Sequence, residues 1–384
     1  MFDWIRRLRA PSSERKLMAW HMLGRPAWPS RDPSAFAREG YARNAIAYRC
    51  VRMIAEAAAN APLKVGPSDH PLARVLARPN PEQTGVELLE AFYGHLQVAG
   101  NAYLEAASFD DQPPSELYVL RPDRMSVVPG PDGWPIGWEH SCGAQVRRFE
   151  RDPVTNEAPI LHLKLFNPAD DWYGLSPMEA AAYSIDIHNA GGAWNKALID
   201  NAARPSGALV FSGAAGADRL SEEQFQRLKQ ELEDMHSGAA NAGRPLLLEG
   251  GLDWRPMSLS PAEMDFAEAR HAAARDIALA FGVPPMLLGI PGDNTYSNYR
   301  EANLAFWRLT ALPLATKAAR AIEGWIGDRW PEAGPAAIQV DLDAVPALAI
   351  ERDALWSRIS GADFLNEDEK RRLAGVEEPE RAHP

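Results

Sequence analysis

Residues 260–326 constrain the fold most: two helical patterns joined by a polar loop that contains glycine. Ser260, Pro261 and Glu263 make a helix start, with a hydroxyl cap, proline at the first helical position and a glutamate three residues after the cap. From Ala262 onward, Phe266, Ala273, Ile277 and Phe281 fall along one face, while alanines and charged side chains occupy the rest. Gly282 and the Pro284-Pro285 pair end the pattern, since proline cannot continue a helix. After the loop from Gly289 to Asn298 a second pattern runs through Ile326, with Pro313 inside it predicting a kink. Such an arrangement suits a helix lining a space with a loop projecting into it.

The rest of the chain reads as α+β. Asn44 to Asn60 is an amphipathic helix, and the Thr84…Glu87 capping box opens another that runs to about Val98. Gly100-Asn101 turns the chain into a strand over Ala102–Ala107. Leu117–Leu120, Met125–Val128, Ile136–Glu139, Val146–Phe149 and Ile160–Leu165 then predict short strands of one antiparallel meander. Strands do not alternate with helices, which disfavours a doubly wound nucleotide-binding fold. Ser176, Pro177 and Glu179 start a helix to about Ala203, in which Gly191-Gly192 signal either close packing or a bend. A β-α-β-β unit follows: Gly207–Phe211, a helix capped by Ser221 and running to Met235, Pro245–Glu249 and Asp253–Ser258. The tail carries a strand over Gln339–Leu342, helices over Ala349–Ile359 and Asn366–Leu373, and a frayed end over Glu377–Pro384.

Charge narrows the function. The net charge is −12, yet residues 1–52 carry 11 Lys+Arg against Asp3, Glu14, Asp32 and Glu39, so the remainder is strongly acidic. A basic arm on an acidic body marks an interaction tail; a solvated leader over residues 1–35, broken by Pro11, Pro26, Pro29 and Pro33, is the alternative. An acidic body does not grip duplex DNA, whose affinity grows with each Lys or Arg contact, but it is compatible with DNA that must slide. No apolar run reaches the ~20 residues of a membrane span, and the start of the chain lacks the apolar core of a signal peptide. Cys50 and Cys142 are read as free thiols.

Catalytic signatures are missing: there is no phosphate loop, dinucleotide glycine fingerprint, His-Glu-x-x-His or Cys-x-x-Cys. Asp186 and His188 share a helix but at i, i+2 point apart. Asp170-Asp171, beside Asn167, reads as a turn rather than a metal site, and His271, Arg275 and Asp276 as a helix face. Trp134, Trp138, Trp254, Trp307 and Trp325 are expected on core-facing positions. No cofactor and no metal are expected.

Four segments carry a resemblance: DFAEARHAAARDIALAFGVPPMLLG (265–289), NTYSNYREANLAFWRLTALPL (294–314), YGLSPMEAA (173–181) and ARPSGALVF (203–211). In order and spacing they resemble the HK97-type portal proteins of tailed phages, from about Asn44 to the C-terminal tail. The resemblance implies a portal fold with these parts: a basic, partly disordered arm (1–40), an α+β wing (41–175), a first stem helix (176–203) and a clip (204–260). A second stem helix (261–283), a tunnel loop (284–298), a kinked helix with the rest of the wing (299–348) and a helical crown and tail (349–384) complete it. The 22 residues over 261–282 would span about 33 Å as a helix. It further implies a non-enzymatic ring, usually of twelve subunits, at one vertex of a phage, prophage or gene-transfer-agent capsid. Double-stranded DNA would enter and leave through it, with the terminase large subunit, then a head–tail adaptor, docking on it and the major capsid protein around it. By the same resemblance Asn294, Thr295, Tyr296, Ser297 and Asn298 face DNA, and Glu222, Glu223, Glu231 and Asp234 lie on the surface that docks the motor. Ala273, Ala274 and Ile277 would pack the stem within and between subunits. Ser297 or Asn298 capping the next helix is the plainer reading of that loop. The rival function is a cytoplasmic hydrolase or transferase with a dispersed site.

Overall fold

The computed structural model describes residues 33–108, 112–131, 133–200, 207–211, 223, 226–227, 230, 252–256, 266–291 and 296–375. In chain order these form α1 (Ala45–Ala59), β1 (Leu63–Gly66), α2 (Pro71–Ala77), α3 (Gly85–Ala99), β2 (Asn101–Ala107) and β3 (Glu116–Leu120). Then come β4 (Met125–Pro129), β5 (Pro135–Cys142), β6 (Gln145–Glu150), β7 (Ile160–Lys164), α4 (Pro177–Ala180) and α5 (Ala182–Asp200). Next are β8 (Gly207–Phe211), β9 (Leu252–Pro256), α6 (Phe266–Ala280), α7 (Tyr296–Phe306) and α8 (Leu312–Ile326). Last are β10 (Ala337–Val340), α9 (Ala349–Ser360) and α10 (Glu367–Ala374). The Ser260 helix start, the strand over 245–249, residues 1–32 and the tail over 377–384 lie outside the described residues.

Local chemistry sets the helix starts. Thr84 Oγ1 accepts from the Glu87 N–H while the Glu87 carboxylate accepts from the Thr84 N–H at 2.7 Å. Ser176 caps α4 through the Glu179 N–H, and Asn366 and Glu369 form a capping box on α10. On α1, Ala47, Cys50, Val51, Ile54, Ala55, Ala58 and Ala59 are buried, which is helical spacing on a wide face. One side of that face joins Leu88, Phe92 and Leu96 of α3 and Ala315, Ile322 and Ile326 of α8 in the larger core. Its other side joins Met178, Ile185, Ile277, Phe281 and Phe306 in a second core.

The strands form separate sheets rather than one meander. β3-β2-β7 is one antiparallel sheet and β4-β5-β6 another. A 3₁₀ turn over Pro122–Arg124 stands between β3 and β4, where proline has no N–H for a ladder, and β7 returns to the free edge of β2. β10 begins two residues earlier than the sequence suggests and pairs with β1, which the sequence reading missed. The Glu323 carboxylate on α8, 8% exposed, accepts from the Ile338 N–H at 2.6 Å and holds this pair against the helix. β8 and β9 pair antiparallel, Leu209 opposite Trp254.

Three further expectations change. Where the sequence predicts a kink at Pro313, the structure has a π-helical turn over Trp307–Ala311 just before it: Pro313 donates no N–H and its ring crowds the carbonyl four residues back, so the chain widens there. The helix begun at Ser176 breaks after one turn, Ala181 separating α4 from α5. Trp138 is buried as expected, but Trp134 is 75% exposed at the start of β5, and Trp307 and Trp325 are half-buried. The Trp254 side chain lies outside the described residues.

One tight point is a backbone crossing. Gly100, at φ +71°, closes α3, and a Cβ there would come 2.4 Å from the Gly174 carbonyl oxygen. A Cβ on Gly174 would come 2.1 Å from the Gly100 oxygen. Asn101 locks the crossing: its Oδ1 accepts from the Gly174 N–H at 2.8 Å and pairs with His162 Nε2 at 2.9 Å. Trp138 Nε1 can only donate, so at 3.4 Å it makes His162 Nδ1 the acceptor and puts the imidazole proton on Nε2. Gly174→Ala is therefore expected to cost about 3 kcal/mol or more, whereas Gly94→Ala, with open space around it, should be neutral or stabilise α3 by up to about 1 kcal/mol. Urea midpoints check both; equal effects would remove the crossing as the cause.

Burial, aided by the Lys164 ammonium, pushes His162 down to about 3, and burial pushes His95 down to about 4. The unfolded chain protonates both near the ordinary value of about 6.5, so it binds more protons than the fold between about 3 and 6.5. Their stabilisation is complete above that window and lost as pH falls through it, by about 1.4 kcal/mol per pH unit for each histidine. His162→Gln should flatten the decline of unfolding free energy between pH 6 and 5. An unchanged slope would exclude His162 as a source.

Candidate functional site

The helix pair α5/α6 and the loop after it form the candidate site. α6 buries Ala273, Ala274, Ile277 and Ala278, with Phe281 buried just after it, and exposes Glu268, His271, Ala272, Arg275, Asp276 and Leu279. Ile277 sits in the second core beside Ile185 of α5 and Ile54 of α1. Ala273, Ala274 and Ile277 are thus buried by their own chain, and α6 leaves its other face exposed. Between the helices, a Cβ on Gly191 would lie 3.0 Å from Arg270 Cγ, so Gly191 marks close packing. Ser184 Oγ donates to Asp276 Oδ2 at 3.4 Å.

A polar network fixes the pair to α1. Asn44 is 1% exposed, and its Oδ1 caps α1 by accepting from the Ile46 and Ala47 N–H groups. Its Nδ2 donates to Asn189 Oδ1 at 3.0 Å and lies 3.2 Å from His188 Nδ1. An amide has two donor hydrogens and two acceptor positions, and all four are used here. Asn189 Nδ2 in turn donates to the Glu39 carbonyl at 3.0 Å. Burial, then Arg270 and His271, lower the pKa of His188, which keeps Nδ1 an acceptor for Asn44.

The loop is tied down at its entry. Gly282 ends the helix at φ +67°, and its carbonyl accepts from Thr310 Oγ1 at 2.6 Å, on the π-helical turn. A 3₁₀ turn over Pro285–Leu288 leads to Gly289, at φ +71°. Ile290, 5% exposed, then packs with Ala274 and Ala278 of α6. Arg275 donates to the Pro291 carbonyl at 2.8 Å. Residues 292–295, Asn294 and Thr295 among them, lie outside the described residues. α7 starts at Tyr296, so Tyr296, Ser297 and Asn298 belong to its first turn rather than to the loop, and neither Ser297 nor Asn298 precedes the helix as its cap. Asn298 is exposed.

Of the four acids expected on the motor-docking surface, Glu223 is helical and exposed; Glu222, Glu231 and Asp234 lie outside the described residues. Asp170 makes a turn, its Oδ1 accepting from the Trp172 and Tyr173 N–H groups at 2.7 and 2.9 Å. Among the described residues no group of three or more His, Cys, Asp or Glu is placed to hold a metal, and no helix is long and apolar enough to cross a membrane. Sequence reasoning missed Asn44, Asn189, Ile290 and Thr310. Only Ile290, one apolar residue in a loop of glycine, proline and polar groups, carried a local signal.

Comparison with known proteins agrees with this architecture. The family model described as phage portal protein matches residues 45–375. The portal protein of Enterobacteria phage HK97 is 26% identical over 296 residues, covering 73% of this chain and 66% of the HK97 protein. A chain from the neck of an empty gene transfer agent particle, computed with C6 symmetry, is 52% identical with a TM-score of 0.70, covering 93% of this chain and 96% of that one. A chain from the neck of the native particle, computed with C12 symmetry, has the same identity and coverage and a TM-score of 0.69. The chain belongs to the phage portal protein family.

Proposed function

We propose that twelve copies of this chain form a ring whose bore carries double-stranded DNA into and out of a gene-transfer-agent-type capsid. The chain is a portal protein of a capsid vertex, and its family is structural rather than catalytic. The observation that carries the finer reading is the 52% identity, over nearly the whole of both chains, to a chain from the neck of a native gene transfer agent particle, that neck being computed with C12 symmetry. The exposed apolar side chains support a ring: Tyr183, Ile187 and Trp194 share a face of α5, and Leu279 of α6 is 78% exposed. A neighbouring subunit seated there would remove them from water, at about 25 cal/mol per Å².

In this reading α5 and α6 are the stem and residues 204–260 the clip, with Glu222, Glu223, Glu231 and Asp234 on the surface that meets the terminase large subunit and later a head–tail adaptor. The major capsid protein surrounds the ring. The ring catalyses nothing itself. The tunnel loop is the stretch from Gly289 into the first turn of α7. Clamped at Ile290 and Pro291, it presents Asn294, Thr295, Tyr296, Ser297 and Asn298 towards the bore. These side chains offer hydrogen bonds without a fixed charge, so contacts to phosphate are transient, as sliding requires.

Asn294→Lys with Thr295→Lys tests the bore. The double variant should assemble normally while adding positive charge at two positions in every subunit. DNA packaging in a reconstituted particle should slow, more strongly at low salt, where the Debye length is longer. Packaging at the unaltered rate in low salt would show that this loop does not face DNA.

A further inference from the structure

A groove lies between α1 and α3. Val51, Ala55, Ala91, Gly94 and Val98 make an apolar floor, and the volume is about 450 Å³. Glu87 and Glu90 stand on its rim, with Glu56 beside them. Arg52 is the one cation on the lining; it pairs with Glu56 and lies 3.8 Å from Glu90. His95 also faces the groove, and burial keeps it neutral at pH 7, so it adds no positive charge.

The groove lies beside the start of the described chain. Ala37 and Tyr41, in the π-helical turn Phe36–Tyr41, form one wall, and Phe36 is buried in the second core, which anchors this turn. Thirty-two residues precede Pro33. They carry seven Lys+Arg against three acids, and from Leu17 to Trp28 they include Met18, Trp20, Met22 and Leu23. A chain spans at most ~3.6 Å per residue, so five residues carry Trp28 up to about 18 Å from Pro33, comfortably along a groove that starts four residues downstream of it.

We propose that residues 17–28 of the same chain fold back into the α1/α3 groove. Their apolar side chains cover its floor, and Arg25, with Arg15 and Lys16 immediately before the segment, faces the rim carboxylates Glu87 and Glu90. Size and sign both match: an apolar segment bearing cations meets an apolar trough bearing an excess of carboxylates. Covering such a floor is favourable for the same reason that any apolar area is, and the rim charges select a basic segment over an acidic one. The arm would then brace α1, the helix shared by both cores. This inference stands apart from the portal reading, and its failure would leave the family assignment untouched.

Cross-linking in the full-length chain tests it. Exposed Cys142 is replaced by serine; Cys50 stays, since it is fully buried with its thiol pushed up to about 12. Two cysteine pairs are then made, Ala19→Cys with Gly94→Cys and Gly24→Cys with Ala91→Cys. Nothing lies within 4 Å of a Cβ added at Gly94, so that thiol enters the groove without repacking. A short bismaleimide should link at least one pair within single chains, giving a monomer-mass band and a peptide joining residues 17–28 to α3. Links found only at dimer mass would overturn the fold-back within one chain. No link in either pair, with both thiols modified by a monofunctional maleimide, would overturn occupancy of the groove by this segment.

Discussion

Asn44 is the interaction on which the rest of the structure depends. One buried amide caps α1 and grips two residues of α5 at once, with every donor and acceptor used. In a low-dielectric site such a network is worth having only when complete, because an unpaired member costs about 1–3 kcal/mol. Its effect is geometric. α1 contributes Ala55 and Ala58 to the larger core and Cys50, Val51 and Ile54 to the second, so it separates the sheet-bearing body from the helix pair. Fixing α5 to its first turn fixes the pair, and through the Ile290 and Arg275 contacts the entry of the loop as well.

A protein that lets DNA slide needs rigidity in its frame and weak chemistry at its bore. The frame is supplied by close packing: Gly100 over Gly174, Gly191 over Arg270, Ile290 against two alanines. Interiors packed this densely transmit displacement rather than absorbing it. In the proposed conduit, an acidic body and a loop without Lys or Arg would keep phosphate attraction shallow.

What the sequence disclosed follows from the range of each interaction. The caps at Thr84, Ser176 and Asn366 bond within three residues, so their spacing alone exposed them. The ends of α1 and the edges of most strands were legible for the same reason, through period and turn residues. The β1–β10 pairing joins residues more than 250 apart in a run of only four, and no local pattern encodes that. The split of the sheets depends on which edge β7 selects, again a tertiary choice. At the candidate site the apolar face of α6 was legible, but its partners were not. Ala273, Ala274 and Ile277 are buried within the chain, and the bonds from Asn44 to α5 and from Thr310 to Gly282 emerged only in three dimensions.

The central claim is a closed ring of this chain, and its assembly state tests it most directly. Twelve copies of a 42.2 kDa chain come to about half a megadalton. Light scattering after size exclusion, with negative-stain images of the same fraction, should give that mass and twelve-fold rings with a central hole. A uniform population of monomers to tetramers, with no rings at any concentration, would contradict the account.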